Sequence, residues 1–157
     1  MPVDLTLFAD YFQIHLQDEQ CESDLGEAWT EQACLDGLAV AHGIMGIGTA
    51  VNWGVAVEVA LLASEPQDDS PAYDHVAEVS IQVPSGRLVV IGCTDYLPDE
   101  PRFEVQVGWN RIRASRSNLA AAIPAIQEEP VENVRLQVWP GSESDPRIIK
   151  RWTQSGI

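Results

Sequence analysis

"VAEVSIQVPSGRLVVIGC", residues 76–93, is the stretch that decides the fold class. Polar and apolar residues alternate over 76–84, the side-chain period of a strand with one covered face. Ser85–Gly86 carries turn chemistry, and "RLVVIGC" (87–93) is an apolar run of strand length. Together they predict a β-hairpin over 76–93. The same pattern extends outward in both directions. "LTLFADYFQIHLQ" (5–17) reads as one strand, or as two with a bulge near Ala9–Asp10. "VAHGIMGIG" (40–48) reads as a glycine-rich strand and "WGVAVEVALLA" (53–63) as a second strand after a turn. "FEVQVGWNRIRAS" (103–115) is a strand bent at Gly108, "VRLQVWP" (134–140) the last strand, and "RIIKRW" (147–152) a short tail. Residues 64–74, 94–102 and 117–133 are loops, the last with room for one helical turn. One helix is expected, in "WTEQACLDGLA" (29–39), capped by Thr30 and ended by Gly37. The chain is therefore expected to be mainly β: an antiparallel β-sandwich of seven or eight strands with one short helix. Its 157 residues fit a single domain spanning 1–157.

Charge is the second signal. The segment "LQDEQCESDLGEAWTEQACLDG" (16–37) holds Asp18, Glu19, Glu22, Asp24, Glu27, Glu31 and Asp36 with no Lys or Arg. Residues 1–86 carry fifteen acidic side chains and no Lys or Arg, whereas 87–157 carry nine of each sign, so the first half accounts for the net charge of −15. Such a surface repels phosphate, which excludes direct nucleic-acid binding and attachment to an anionic membrane. It attracts a basic protein partner, and it also keeps a protein soluble.

Catalytic and metal signatures are missing from the sequence. There is no G-x-S-x-G elbow, and "GIMGIG" (43–48) is not a dinucleotide-binding fingerprint. His15, His42 and His75 are too scattered for a zinc motif, and the acidic loop lacks the order of a calcium loop. The carboxylates of "DYLPDE" (95–100) look solvated rather than tuned for acid–base work. No enzyme, cofactor or metal is expected. Arg111, Arg113 and Arg116 form the one basic stripe, read either as internal partners of the acid-rich half or as an anion-binding face. Trp29 is either the anchor of the helix or an aromatic contact for a partner. Cys21, Cys34 and Cys93 are an odd number, which favours a reducing compartment, with a Cys21–Cys34 bridge open in an oxidising one. The opening residues lack the basic and apolar regions of a signal peptide.

Residues 29–59, "WTEQACLDGLAVAHGIMGIGTAVNWGVAVEV", resemble the competence protein J family of bacterial nuclease inhibitors. That family is typified by the inhibitor of the nuclease through which DNA enters the cell. The likeness is carried by Trp29, Thr30, Ala33, Gly37, Gly43, the strand 55–63 and the opening "LTLFADYFQIHLQD", and it covers roughly residues 4–63. The resemblance implies a cytoplasmic β-sandwich, an immunity-type protein that neutralises a nuclease or similar toxin. On that reading Asp18, Glu19, Glu22, Asp24, Glu27 and Glu31 meet a basic catalytic cleft and Trp29 anchors the contact, with the oligomeric state open. The alternative is an acidic β-sandwich module, without catalysis, that binds a small ligand or serves in an assembly.

Overall fold

The computed structural model describes residues 2–95, 100–125 and 129–153. Among them are eleven strands: β1 (Val3–Phe8), β2 (Gln13–Asp18), β3 (Leu38–Ala41), β4 (Ile44–Gly48), β5 (Gly54–Leu61), β6 (His75–Val83), β7 (Arg87–Gly92), β8 (Arg102–Glu104), β9 (Gly108–Ser117), β10 (Asn133–Pro140) and β11 (Arg147–Lys150). Two short helices join them, α1 (Glu31–Asp36) and α2 (Leu119–Ala122). One sheet runs β1-β5-β10-β9-β6-β11, the other β3-β4-β2-β7-β8. Strand alternation drives the packing. Val55, Val57 and Val59 of β5 point inward with Val134, Leu136 and Val138 of β10, and meet Ile14, Leu16, Leu88 and Val90 of the second sheet in one core. Burying each such side chain stabilises the fold by about 1.5–3 kcal/mol, so this core outweighs any single polar contact.

The mainly β, two-sheet architecture is as expected, but several local readings need correction. Residues 76–93 are not a hairpin: β6 belongs to the first sheet and β7 to the second. Val79, Ile81 and Val83 of β6 and Leu88 and Val90 of β7 all face the same core, so the chain crosses over it at Ser85–Gly86 instead of folding back. No ladder holds that crossing. The Ser85 N–H and hydroxyl donate to Asp18 Oδ1, at 3.0 and 2.7 Å. Residues 5–17 are two strands, the second of the two expected readings, but they lie in different sheets and are separated by a 3₁₀ turn at Asp10–Phe12 instead of a bulge. Residues 40–48 contain a hairpin, β3 to β4, turning at His42–Gly43. The strand expected over 103–115 is broken, with β8 in one sheet and β9 in the other. The tail is β11, antiparallel to β6, and β10 lies parallel to β5 where every pair was expected antiparallel. These splits and the extra edge strand account for the excess over seven or eight. The loop helical turn is α2, and α1 begins and ends as its caps dictate: Thr30 Oγ1 accepts the Ala33 N–H at 3.1 Å, and Gly37 takes left-handed backbone with φ 65°. The carboxylate pairing expected in 95–100 lies largely outside the described residues.

Candidate functional site

Residues 19–30 and α1 lie across the outer face of the second sheet. Apolar side chains fasten them there. Leu25, Ala33, Ala39 and Ile44 form a buried cluster apart from the main core, with Cys21, Ala28, Trp29 and Ala41 packed against it. Gly46 of β4 makes the close approach possible. A Cβ there would lie 2.7 Å from Leu25 Cδ1 and 2.8 Å from Trp29 Cζ2, nearer than real atoms approach. The half-buried Trp29 is oriented by its indole N–H, which donates to Gln13 Oε1 at 2.9 Å. The acidic segment is thus an apolar-backed cover, and its polar residues face out because its apolar ones face in.

The acids divide into two sets. Asp18 is buried, accepting from Ser85 and from the Gln20 N–H at 2.9 Å. Glu19 accepts from Arg87 Nε at 2.9 Å and Arg102 Nε at 3.0 Å. The Arg87 hydrogen bond, helped by Arg102, holds the Glu19 carboxyl below its ordinary range. These two side chains are committed to the fold. Glu22, Asp24, Glu27 and Glu31 are exposed, and among the described residues no Lys or Arg pairs with them. Asp24 Oδ1 takes the Gly26 N–H at 2.9 Å, and Glu31 sits in the first turn of α1, where the helix end favours an acid.

The arginines of the first sheet are spent internally. Arg111 and Arg113 point to its outer face and share Glu78 with Arg147, with Arg113 Nη2 at 2.9 Å and Arg147 Nη2 at 2.6 Å from its carboxylate. Burial pushes the Glu78 carboxyl up, but Arg147 and Arg113 outweigh it and its pKa lies below the ordinary value. Arg113 also stacks on Trp139, 5.3 Å from the ring centre. Arg116 is not on that stripe. It turns inward to the fully buried Glu132, Nε to Oε2 at 3.3 Å, and Glu132 Oε1 accepts the Ala50 N–H at 2.8 Å. Burial raises the Glu132 carboxyl above its usual range against the pull of Arg116. Arg151 donates to Asp36 at 2.6 Å and Arg135 to Asp69 at 2.6 Å. The cations of the second half thus neutralise Glu19, Asp36, Asp69 and Glu78 of the first and leave the outer acids of the cover unpaired. The three cysteines are free thiols. Among the described residues no three His, Cys, Asp or Glu side chains converge as metal ligands, and no helix is long and apolar enough to cross a membrane.

Sequence reasoning missed the aromatic turn beside this cover. Tyr11 and Phe12 read as strand residues, yet they sit in the 3₁₀ turn and are 69% and 52% exposed. The available signal was the lapse of alternation at Ala9–Asp10.

The class these features define is a two-sheet β-sandwich with an acidic cover on one sheet. No family model and no curated protein sequence matches the chain. Its fold is ComJ-like. The crystal structure of ComJ, inhibitor of the DNA degrading activity of NucA, from Bacillus subtilis, is similar with a TM-score of 0.65 at 16% identity, over 88% of this chain and 94% of that one. The product of crocagin biosynthetic gene J is similar with a TM-score of 0.55 at 21% identity, over 90% and 96%. At these identities the likeness is one of fold.

Proposed function

We infer that this chain is an inhibitor of immunity type that binds a basic nuclease or toxin and occludes its active site. The observation that carries the reading is the set of exposed, unpaired carboxylates Glu22, Asp24, Glu27 and Glu31 on an apolar-backed cover. The ComJ-like fold supports it, since ComJ inhibits a DNA-degrading nuclease. A nuclease cleft is built to hold polyphosphate, so carboxylates on a fixed surface are its natural occupants, and a one-signed field speeds their encounter. Trp29 serves this face as the anchor that fixes the cover, while Asp18 and Glu19 brace it from within. The partner is a protein, not nucleic acid or membrane, and no catalytic step is assigned to the chain. The free thiols suit a cytoplasmic setting.

The test is inhibition of DNA degradation by nucleases purified from the source organism, with binding measured from 20 mM to 500 mM salt. Affinity should fall steeply with salt, and reversing the four acids to lysine should abolish inhibition. Binding that is indifferent to both would favour the alternative, a sandwich module whose charge only keeps it soluble.

A further inference from the structure

Phe8, Tyr11, Phe12 and Trp53 expose large aromatic surfaces at one corner of the sandwich. Tyr11 and Phe12 both hold left-handed backbone, with φ 57° and 60°. Aromatic residues seldom adopt it, and two in succession need fastening from elsewhere in the fold. That fastening is present. The Tyr11 N–H donates to Asn52 Oδ1 at 2.8 Å and to Asp10 Oδ1 at 3.1 Å. The Phe12 N–H donates to the Ala9 carbonyl at 3.1 Å, and the Phe12 carbonyl accepts the Thr49 N–H at 2.9 Å. Phe8 and Trp53 meet edge to face at 5.4 Å next to the turn. The turn therefore holds its two rings in solvent, where folding alone would not leave them.

Between this turn and α1 lies a cavity of about 320 Å³, lined by residues including Tyr11, Phe12, Trp29, Cys34 and Thr49. The lining contains neither a cation nor a carboxylate. Glu31 stands one helical turn before Cys34 on the same face of α1, exposed and without a Lys or Arg partner among the described residues. Asp10 opens the turn but is already engaged, its two carboxylate oxygens accepting from the Tyr11 N–H and the Thr94 hydroxyl. Aromatic walls within a helical turn of the unpaired Glu31 suit a flat, weakly hydrated cation, which can stack on the rings while its charge is drawn to that carboxylate. We propose that the slot between the Tyr11–Phe12 turn and α1 receives an arginine side chain of the basic protein partner. The proposal rests on the inhibitor reading above and names the contact within it that is aromatic rather than purely ionic.

The test uses the isotope-labelled full chain and an acetylated hexa-arginine peptide, followed by NMR. Binding should shift the Trp29 indole and the Tyr11 and Phe12 amides, and hexa-lysine should bind more weakly. Tyr11→Gly and Phe12→Gly relieve the left-handed strain, so the variants should fold at least as well as the wild type. Each should nevertheless weaken peptide binding about five-fold. Shifts confined to residues 22–27, or equal affinity in the two glycine variants, would overturn the slot and leave only diffuse charge attraction. Nuclease inhibition separates the two ideas. A chain that binds arginine in the slot but inhibits no nuclease ends the inhibitor reading alone. Inhibition undiminished by the glycine variants ends the slot alone.

Discussion

His75 is held as a neutral ring by its two neighbours. The Trp152 N–H donates to Nδ1 at 3.1 Å, so Nδ1 is an acceptor, and Nε2 faces the Asp36 carbonyl at 2.6 Å, so Nε2 carries the proton. A second proton would have to enter at Nδ1 against that N–H. Burial, and then the nearby Arg116, lower its pKa, and burial lowers that of His15. Both folded-state values lie below the unfolded one, so the stability they contribute is present above about pH 6.5 and is lost as pH falls through the folded values. Carboxyls held low, such as Glu19 and Glu78, act only below the ordinary carboxylate range. Glu132 is raised and works with the opposite sign, its contribution being lost as pH rises through its folded value. Urea denaturation should therefore show stability falling between pH 7.5 and 6, with a slope of up to about 1.4 kcal/mol per pH unit per histidine. His75→Gln should remove its share of that slope, and an unchanged slope would show that the ring titrates normally. Gly46 is the other decisive single position. Gly46→Val places atoms where Leu25 and Trp29 already lie, and overpacking of this kind destabilises by about 1–3 kcal/mol. The expected signs are a lower melting temperature and a red-shifted Trp29 emission as the cover lifts.

α1 has six residues, too few to persist without its caps and the sheet beneath it. Thr30→Ala should therefore cost about 1 kcal/mol by thermal denaturation, and hydrogen exchange should quicken in 31–36 before it does in β4 or β5. This helix was legible in the sequence because its determinants are local: Thr30 reaches Ala33, and Gly37 needs only its own backbone. Strand existence was legible for the same reason, since alternation is a property of neighbours. Partnership between strands was not. Ser85–Gly86 would serve a hairpin equally well, and what holds the crossing is Asp18, far away along the chain. β11 has no buried residue and no alternation, so nothing in it announces a strand until Arg147 meets Glu78. The site divides in the same way. Clustered acids can be counted in a sequence, but the engagement of Asp18 and Glu19 depends on Ser85, Arg87 and Arg102. An aromatic pair in left-handed backbone contradicts every local preference, so Tyr11 and Phe12 could be found only in three dimensions.

Taken whole, the molecule spends most of its cations on internal order and leaves its excess charge as exposed carboxylates, crowded on the cover at Glu22, Asp24, Glu27 and Glu31 and spaced elsewhere at Asp4, Glu65, Asp68, Glu104, Glu129, Glu143 and Asp145. That arrangement works against stability, because like charges held together repel each other in the compact state and are relieved when the chain opens. Salt screens the repulsion over roughly 10 Å at 0.1 M. The melting temperature should accordingly rise by a few degrees between 10 and 150 mM salt. The quadruple variant Glu22→Gln, Asp24→Asn, Glu27→Gln, Glu31→Gln should melt higher at low salt and respond less to added salt. Glu31→Gln gives back part of the gain, because that carboxylate favours the start of α1. On the proposed reading, the four acids crowded within residues 22–31 are kept for a partner despite that strain, whereas the acids spaced over the rest of the surface need no reason beyond solubility. The same variant should therefore be the more stable protein and the weaker nuclease inhibitor. Melting curves and inhibition titrations on one preparation read the two effects together. If stability rises while inhibition is untouched, the carboxylates of the cover are not the contact surface.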